Sequence, residues 1–324
     1  MYQSTTSILS FAMKRTATLR RLSAALLLLT ASPSATLLAA PAASEITTDT
    51  PAAHPAFTVQ VVGKGRPMLL IPGLTCPGAV WDETVAHYQK QYQCHVISLA
   101  GFGGTAPLAN REQFLQQVRD QLLAYVKTQK LSRPVVVGHS LGGFMGLWMS
   151  ATQPEALGPL VIVDSLPFLA AVQNPTLTVE QAKPMAEGMR QQMSRGSMPV
   201  ALARQTSASL MTDTARISQA TRWSVASDPT TVAQAYYDLM TTDLRQDIAR
   251  VQQPTLVLGA WAAYKPYGST KESTKAIFEQ QYARLPQHQV VMSEAGKHFL
   301  MWDDTQWFFA QTDAFLKQNS VAKK

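Results

Sequence analysis

Only two cysteines, Cys76 and Cys94, occur in 324 residues, which excludes a small scaffold knitted by disulfides. Charged residues make up just 15% of the chain against 46% hydrophobic residues, and that balance excludes wholesale disorder. No dinucleotide-type glycine motif, no phosphate-cradling Gly-Lys-Ser/Thr loop and no His/Cys/carboxylate cluster at metal-ligand spacing occurs, so no cofactor or metal is expected. Internal repeats are also absent. The first 44 residues lack acidic side chains while carrying Lys14, Arg15, Arg20 and Arg21. Without those four cations, the formal +7 falls to 24 basic against 21 acidic residues, a net of +3. Such a balance gives no reason to expect nucleic acid as a partner.

What the N-terminus does contain is the pattern of an export signal. A basic stretch ends at Arg21, Leu22 to Ala40 is uncharged with the Leu26–Leu29 run at its centre, and small residues follow at Ala39, Ala40, Ala42 and Ala43. Pro33 and the scattered Ser and Thr residues argue against a stable membrane span. The expected organisation is a signal segment at 1–43 and a linker rich in Ala, Pro and Thr at 44–56. A secreted or periplasmic domain, with no stable membrane insertion after cleavage, follows. Export makes a disulfide possible, yet Cys76 lies just past one expected strand and Cys94 at the start of the next. In parallel neighbours these are opposite ends of a sheet, so both thiols are expected free and partly buried.

From Phe57 onward short apolar runs alternate with helical patterns. Phe57–Val62, Met68–Ile71, His95–Leu99, Pro134–Val137, Leu160–Val163, Thr255–Leu258 and Gln289–Met292 read as strands. Continuous rather than alternating hydrophobicity suits strands covered on both faces. Between them, Arg111–Thr128 repeats Phe114, Val118, Leu122 and Val126 at i+4, a helical stripe. The fold class is α/β, a mostly parallel doubly wound sheet. Residues 57–166 and 249–318 form its core. The stretch 167–248 holds no clear strand and reads as an inserted helical cap. Its methionines, Met185, Met189, Met193, Met198, Met211 and Met240, suit either a lid over an apolar pocket or a stripe buried against the main domain.

The chemistry centres on Gly138-His139-Ser140-Leu141-Gly142, a G-x-S-x-G pentapeptide. It directly follows the strand Val135-Val136-Val137 and precedes an apolar helical run. A serine on a sharp strand-to-helix turn needs glycines at both flanks to avoid clashes, and the helix start beside it supplies free N–H groups. A serine hydroxyl needs a base. Of the candidates His54, His87, His95, His139, His288 and His298, only His298 lies in a loop after the last strand, at the top of the sheet; His139 should point away from the serine.

These features resemble the α/β-hydrolase superfamily across roughly residues 57–318. The resemblance extends to Ile71-Pro72-Gly73-Leu74, where the family carries its oxyanion loop, and to Gly101-Phe102-Gly103-Gly104-Thr105, its glycine-rich turn. It implies backbone N–H donors at Leu74 and Leu141. The commoner acid position, just after the penultimate strand, is empty: Leu258-Gly259-Ala260-Trp261 offers no carboxylate. Asp164, closing the strand that follows the nucleophile helix, resembles the acid of the haloalkane-dehalogenase-like branch, with Glu272 and Asp243 as alternatives. The resemblance thus implies a serine hydrolase with Ser140 as nucleophile, His298 as base and Asp164 orienting it. Trp81, Trp148, Phe168, Trp223, Tyr236 and the cap methionines suggest an apolar pocket and a small-molecule hydrophobic ester as substrate. Carboxylesterase is the first expectation. Lactonase, C–C hydrolase, cofactor-free haloperoxidase and amidase chemistry, or a non-catalytic binding protein of the same fold, remain open.

Overall fold

A strand apolar on both faces is stable only where both faces are covered, and the apolar runs all join one sheet. The computed structural model describes residues 47–48 and 54–320, so the expected signal segment lies outside the described residues. The strands are β1 (Thr47–Thr48), β2 (Phe57–Val62), β3 (Arg66–Ile71), β4 (Tyr92–Leu99), β5 (Val135–His139), β6 (Leu160–Val163), β7 (Thr255–Gly259) and β8 (His288–Met292). Their order is β1-β2-β4-β3-β5-β6-β7-β8. β1 and β2 pair antiparallel, as do β2 and β4; every other neighbour is parallel. Within the 44–56 stretch read as a linker, Thr47 and Thr48 pair with Val61 and Gln60 at the sheet edge.

Alternate residues of each strand enter two separate cores, as the period of two demands. Leu69, Ile71, Val136, Ile162 and Val257 face α2 (Phe114–Thr128), α3 (Leu141–Thr152) and α8 (Lys271–Tyr282). Met68, Leu70, Val135, Val137, Val161, Leu256 and Leu258 face α1 (Asp82–Tyr88), α9 (Leu300–Asp303) and α10 (Thr305–Gln318). Both cysteines are free and fully buried rather than partly so. Burial pushes the Cys76 thiol up to about 12 and that of Cys94 to about 11, so neither is a thiolate near neutral pH.

Between β6 and β7 the chain forms four helices, α4 (Val179–Met193), α5 (Val200–Leu210), α6 (Thr214–Ala226) and α7 (Pro229–Thr241). They pack as two pairs, α4 with α7 and α5 with α6, and α7 also rests on α2. Asp238 of α7 accepts the N–H of Leu115 at 3.0 Å, capping α2 from outside. The methionines differ in burial. Met211 and Met240 are buried, whereas Met185 is 51% exposed on α4. Among the described residues no helix is long and apolar enough to cross a membrane.

Candidate active site

Sheet order sets the site. β3 and β5 are adjacent although the chain visits β4 between them, so the connections leave in opposite directions and open a crevice at the strands' carboxyl ends. Ile71 lies opposite Gly138, which brings the loop after β3 against the turn after β5. His139 lies opposite Val163, and the Ser140 N–H donates to Val163 O at 2.8 Å. Asp164 therefore starts one residue beyond the strand that braces the serine.

Ser140 sits at φ 52° and ψ −117°, a conformation that costs an L residue on the order of 1–3 kcal/mol. The flanking glycines make the turn possible. A Cβ on Gly138 would meet Gly142 O at 2.2 Å, and one on Gly142 would meet Ile71 O at 2.1 Å. The carbonyl of Ser140 accepts from the N–H groups of Gly143 and Phe144 and starts α3. Among the described residues, no hydrogen bond occupies the N–H of Leu74 or of Leu141. Both belong to segments that meet at Ser140, since a Cβ on Gly73 would lie 3.3 Å from Ser140 Cβ.

The structure brings Asp164 and His298 together. Asp164 Oδ2 lies 2.6 Å from His298 Nδ1, and its other oxygen accepts the N–H of Ala260 at 2.8 Å. That N–H belongs to the segment after β7 that offers no carboxylate of its own. Asp164 is buried at φ 46°, with its own N–H donating to Leu258 O at 2.7 Å. The carboxylate bond fixes the proton of His298 on Nδ1 and leaves Nε2 free to act as base. Ser140 and His298 are not hydrogen-bonded to each other, a spacing that substrate binding commonly tightens. The two alternative acids are engaged elsewhere. Asp243 is gripped by the Arg245 guanidinium through both oxygens, and Glu272 stands exposed in the first turn of α8.

One functional contact was not readable in advance. His139 does not simply point away; it lies under His298, ring centroids 4.6 Å apart, and its Nε2–H donates to the His298 carbonyl at 3.1 Å. Burial first, then the neighbouring His298, hold its basicity well below the usual histidine range. Its neutral ring fills the space beneath the base, a role that no feature of the pentapeptide signals. The expected pocket aromatics separate. Trp223 of α6 faces Trp302, which stacks on Phe299 beside the base. Trp148 instead lies against Phe144 under the Arg119 guanidinium, and Phe168 is core beneath Arg245.

Comparison with known proteins bears on the fold and family. The family model described as the alpha/beta hydrolase family matches residues 68–311. A pimeloyl-[acyl-carrier protein] methyl ester esterase from Vibrio atlanticus is 27% identical over 72% of this chain and 92% of its own length. Its counterpart from Aliivibrio salmonicida is 32% identical over 35% of this chain, a match spanning 41% of that relative. The crystal structure of a hydrolase from Pseudomonas aeruginosa superposes with a TM-score of 0.66 at 16% identity, covering 80% of this chain and 94% of that one. The model match spans three quarters of the chain: this protein belongs to the α/β hydrolase family.

Proposed function

We propose that the protein is an exported serine esterase that cleaves small to medium hydrophobic carboxylic esters through an acyl-enzyme. The observation that carries this reading is the bond between His298 Nδ1 and Asp164 Oδ2, made at the strand end beside Ser140. Ser140 Oγ attacks the ester carbonyl carbon while His298 Nε2 takes its proton. The N–H groups of Leu74 and Leu141 receive the developing oxyanion, each contributing about 3 kcal/mol. His298 then gives the proton to the leaving alkoxide, and water repeats the sequence on the acyl group. Asp164 keeps the imidazole oriented and stabilises its cation. The ester-cleaving names of the curated relatives support the bond type; the half-buried Trp223 and the apolar residues around Phe299 support a hydrophobic substrate. The missing carboxylate after β7 is the argument for a non-catalytic binding protein, and the bond between Asp164 and His298 weighs against it.

The test is turnover of p-nitrophenyl esters of increasing chain length. Ser140→Ala and His298→Ala should be inactive, and Asp164→Asn should lose about four orders of magnitude in kcat. A folded wild type that turns over no ester and does not react with a fluorophosphonate probe would sink the reading. Export is tested on the same preparation by sequencing the mature N-terminus, which should begin near Ala42; a chain starting at Met1 or Met13 refutes it.

A further inference from the structure

Besides the Asp164–His298 bond, the loop that carries His298 is held at four points, and two of them reach the cap. Ser293 Oγ accepts the N–H groups of Ala295 and Gly296 and donates to Asp304 Oδ2 at 2.6 Å. After the base, the His298 carbonyl is held by His139. Immediately before the base, the Lys297 N–H donates to Asp303 Oδ2 at 3.2 Å. The same Asp303 carboxylate also takes the N–H of Thr212 on Oδ1 at 3.0 Å and the Thr212 hydroxyl on Oδ2 at 3.2 Å. Thr212 lies at the corner between α5 and α6. From the other side Lys297 Nζ donates to the carbonyls of Ala208 and Met211, at 3.1 and 3.2 Å, at the end of α5. These are carbonyls that a helix terminus leaves without partners, and a cation there is doubly favoured.

We infer that Asp303 is a positioning residue that couples the seating of the α5–α6 half of the cap to the placement of His298. The inference rests on the esterase reading above. A single carboxylate receives two donors from the cap and one from the peptide next to the base, so moving either partner strains the bonds to the other. The two cap halves differ in how they are fastened. The α4–α7 pair rests on α2 through the Asp238 contact and on the segment before it through the Arg111–Asp228 ion pair. The α5–α6 pair is fastened at the corner that Asp303 and Lys297 grip, and along α6 by Arg216 to Glu83 and Trp302 and by the buried Ile217 and Ala220. At the end of α6 it is also held by Ser227, which accepts the Gly103 N–H at 2.9 Å. A substrate that lifts this corner would carry the base with it, and one that seats it would set the base for proton transfer.

The test uses active sites titrated with a fluorophosphonate, so that folding losses are separated from rate. On p-nitrophenyl acetate, too small to draw much on the cap, Asp303→Ala should lower kcat per titrated site about tenfold with KM little changed. Thr212→Val should lower it less, and should add nothing when combined with Asp303→Ala, because the cap bond is already gone. Should Asp303→Ala fail to fold, Asp303→Asn, which keeps the shape and an acceptor, takes its place with a loss of the same kind. An unchanged kcat per site beside a lower Tm or fewer titratable sites makes Asp303 merely structural and overturns the inference alone. A wild type that neither labels nor turns over overturns the esterase reading, and this inference with it.

Discussion

Thr75, Ser140 and Asp164, at φ 64°, 52° and 46°, hold left-handed backbone at the tops of three adjacent strands. Such backbone persists only where the surroundings over-determine it, and it gathers where geometry must be held for chemistry. Ser140 and His298 were legible because a motif or a chain position marks them. Asp164 was legible because it closes a strand next to the nucleophile turn. The contact of His139 with the base was not, because it depends on which face of the turn the returning loop crosses. The tightest requirement is at Gly142, where an added Cβ would also meet Pro72 O at 2.8 Å. Gly142→Ala must therefore push the start of α3 away from the loop that carries Leu74 and part the two N–H donors. Fluorophosphonate labelling should slow at least about 100-fold. Gly188→Ala on α4, where nothing lies within 4 Å, is the matched control. It should label at the wild-type rate and gain about 0.5–1 kcal/mol of stability. Equal labelling of both variants would refute this account.

At the scale of elements, all seven strands read from the sequence occur: β5, β6 and β7 are runs buried on both faces, whereas β2 alternates buried with exposed residues as an antiparallel strand does. Their ends were less legible. β4 begins at Tyr92 rather than His95, since Tyr92 and Gln93 pair with Arg66 and Pro67 of β3 and pairing extends a strand past its apolar part. The expected helix from Arg111 begins at Phe114 instead, and Arg111 turns aside to meet Asp228 at 2.9 Å. Asp228 joins several of these elements at once. As N-cap of α7 its side chain accepts the Thr231 N–H at 2.9 Å and the Thr231 hydroxyl at 2.6 Å, besides the Arg111 guanidinium. Asp228→Ala removes a cap, typically about 1 kcal/mol, and leaves a half-buried guanidinium without its partner. A loss of about 2 kcal/mol in urea unfolding is expected. Asp228→Asn, which keeps the cap oxygen, should recover about half of it. Equal stability of both variants and wild type would show that α7 is held by packing alone.

The fold places its catalytic candidates on one rim and buries His54, His95 and His139 inside, while His87 stays exposed. His95, on β4, is buried between Tyr125 and Gln93. Its Nδ1 accepts the Tyr125 hydroxyl at 2.7 Å, and Nε2–H donates to Gln93 Oε1 at 3.1 Å. Burial lowers its pKa to about 4, so it stays neutral in the fold while the unfolded chain protonates near the ordinary value of about 6.5. The unfolded state then binds more protons between those values, and stability falls as pH drops from about 6.5 to about 4. His139 adds a contribution of the same sign. For His95 alone the span corresponds to at most about 3 kcal/mol. His95→Gln should therefore flatten the pH dependence of unfolding in that window relative to wild type, whatever it costs at neutral pH. Urea midpoints for both proteins at pH 7 and pH 4 decide the matter. If both lose the same stability between the two pH values, His95 is protonated in the folded state, and the acid sensitivity belongs to His139 or to the carboxylates.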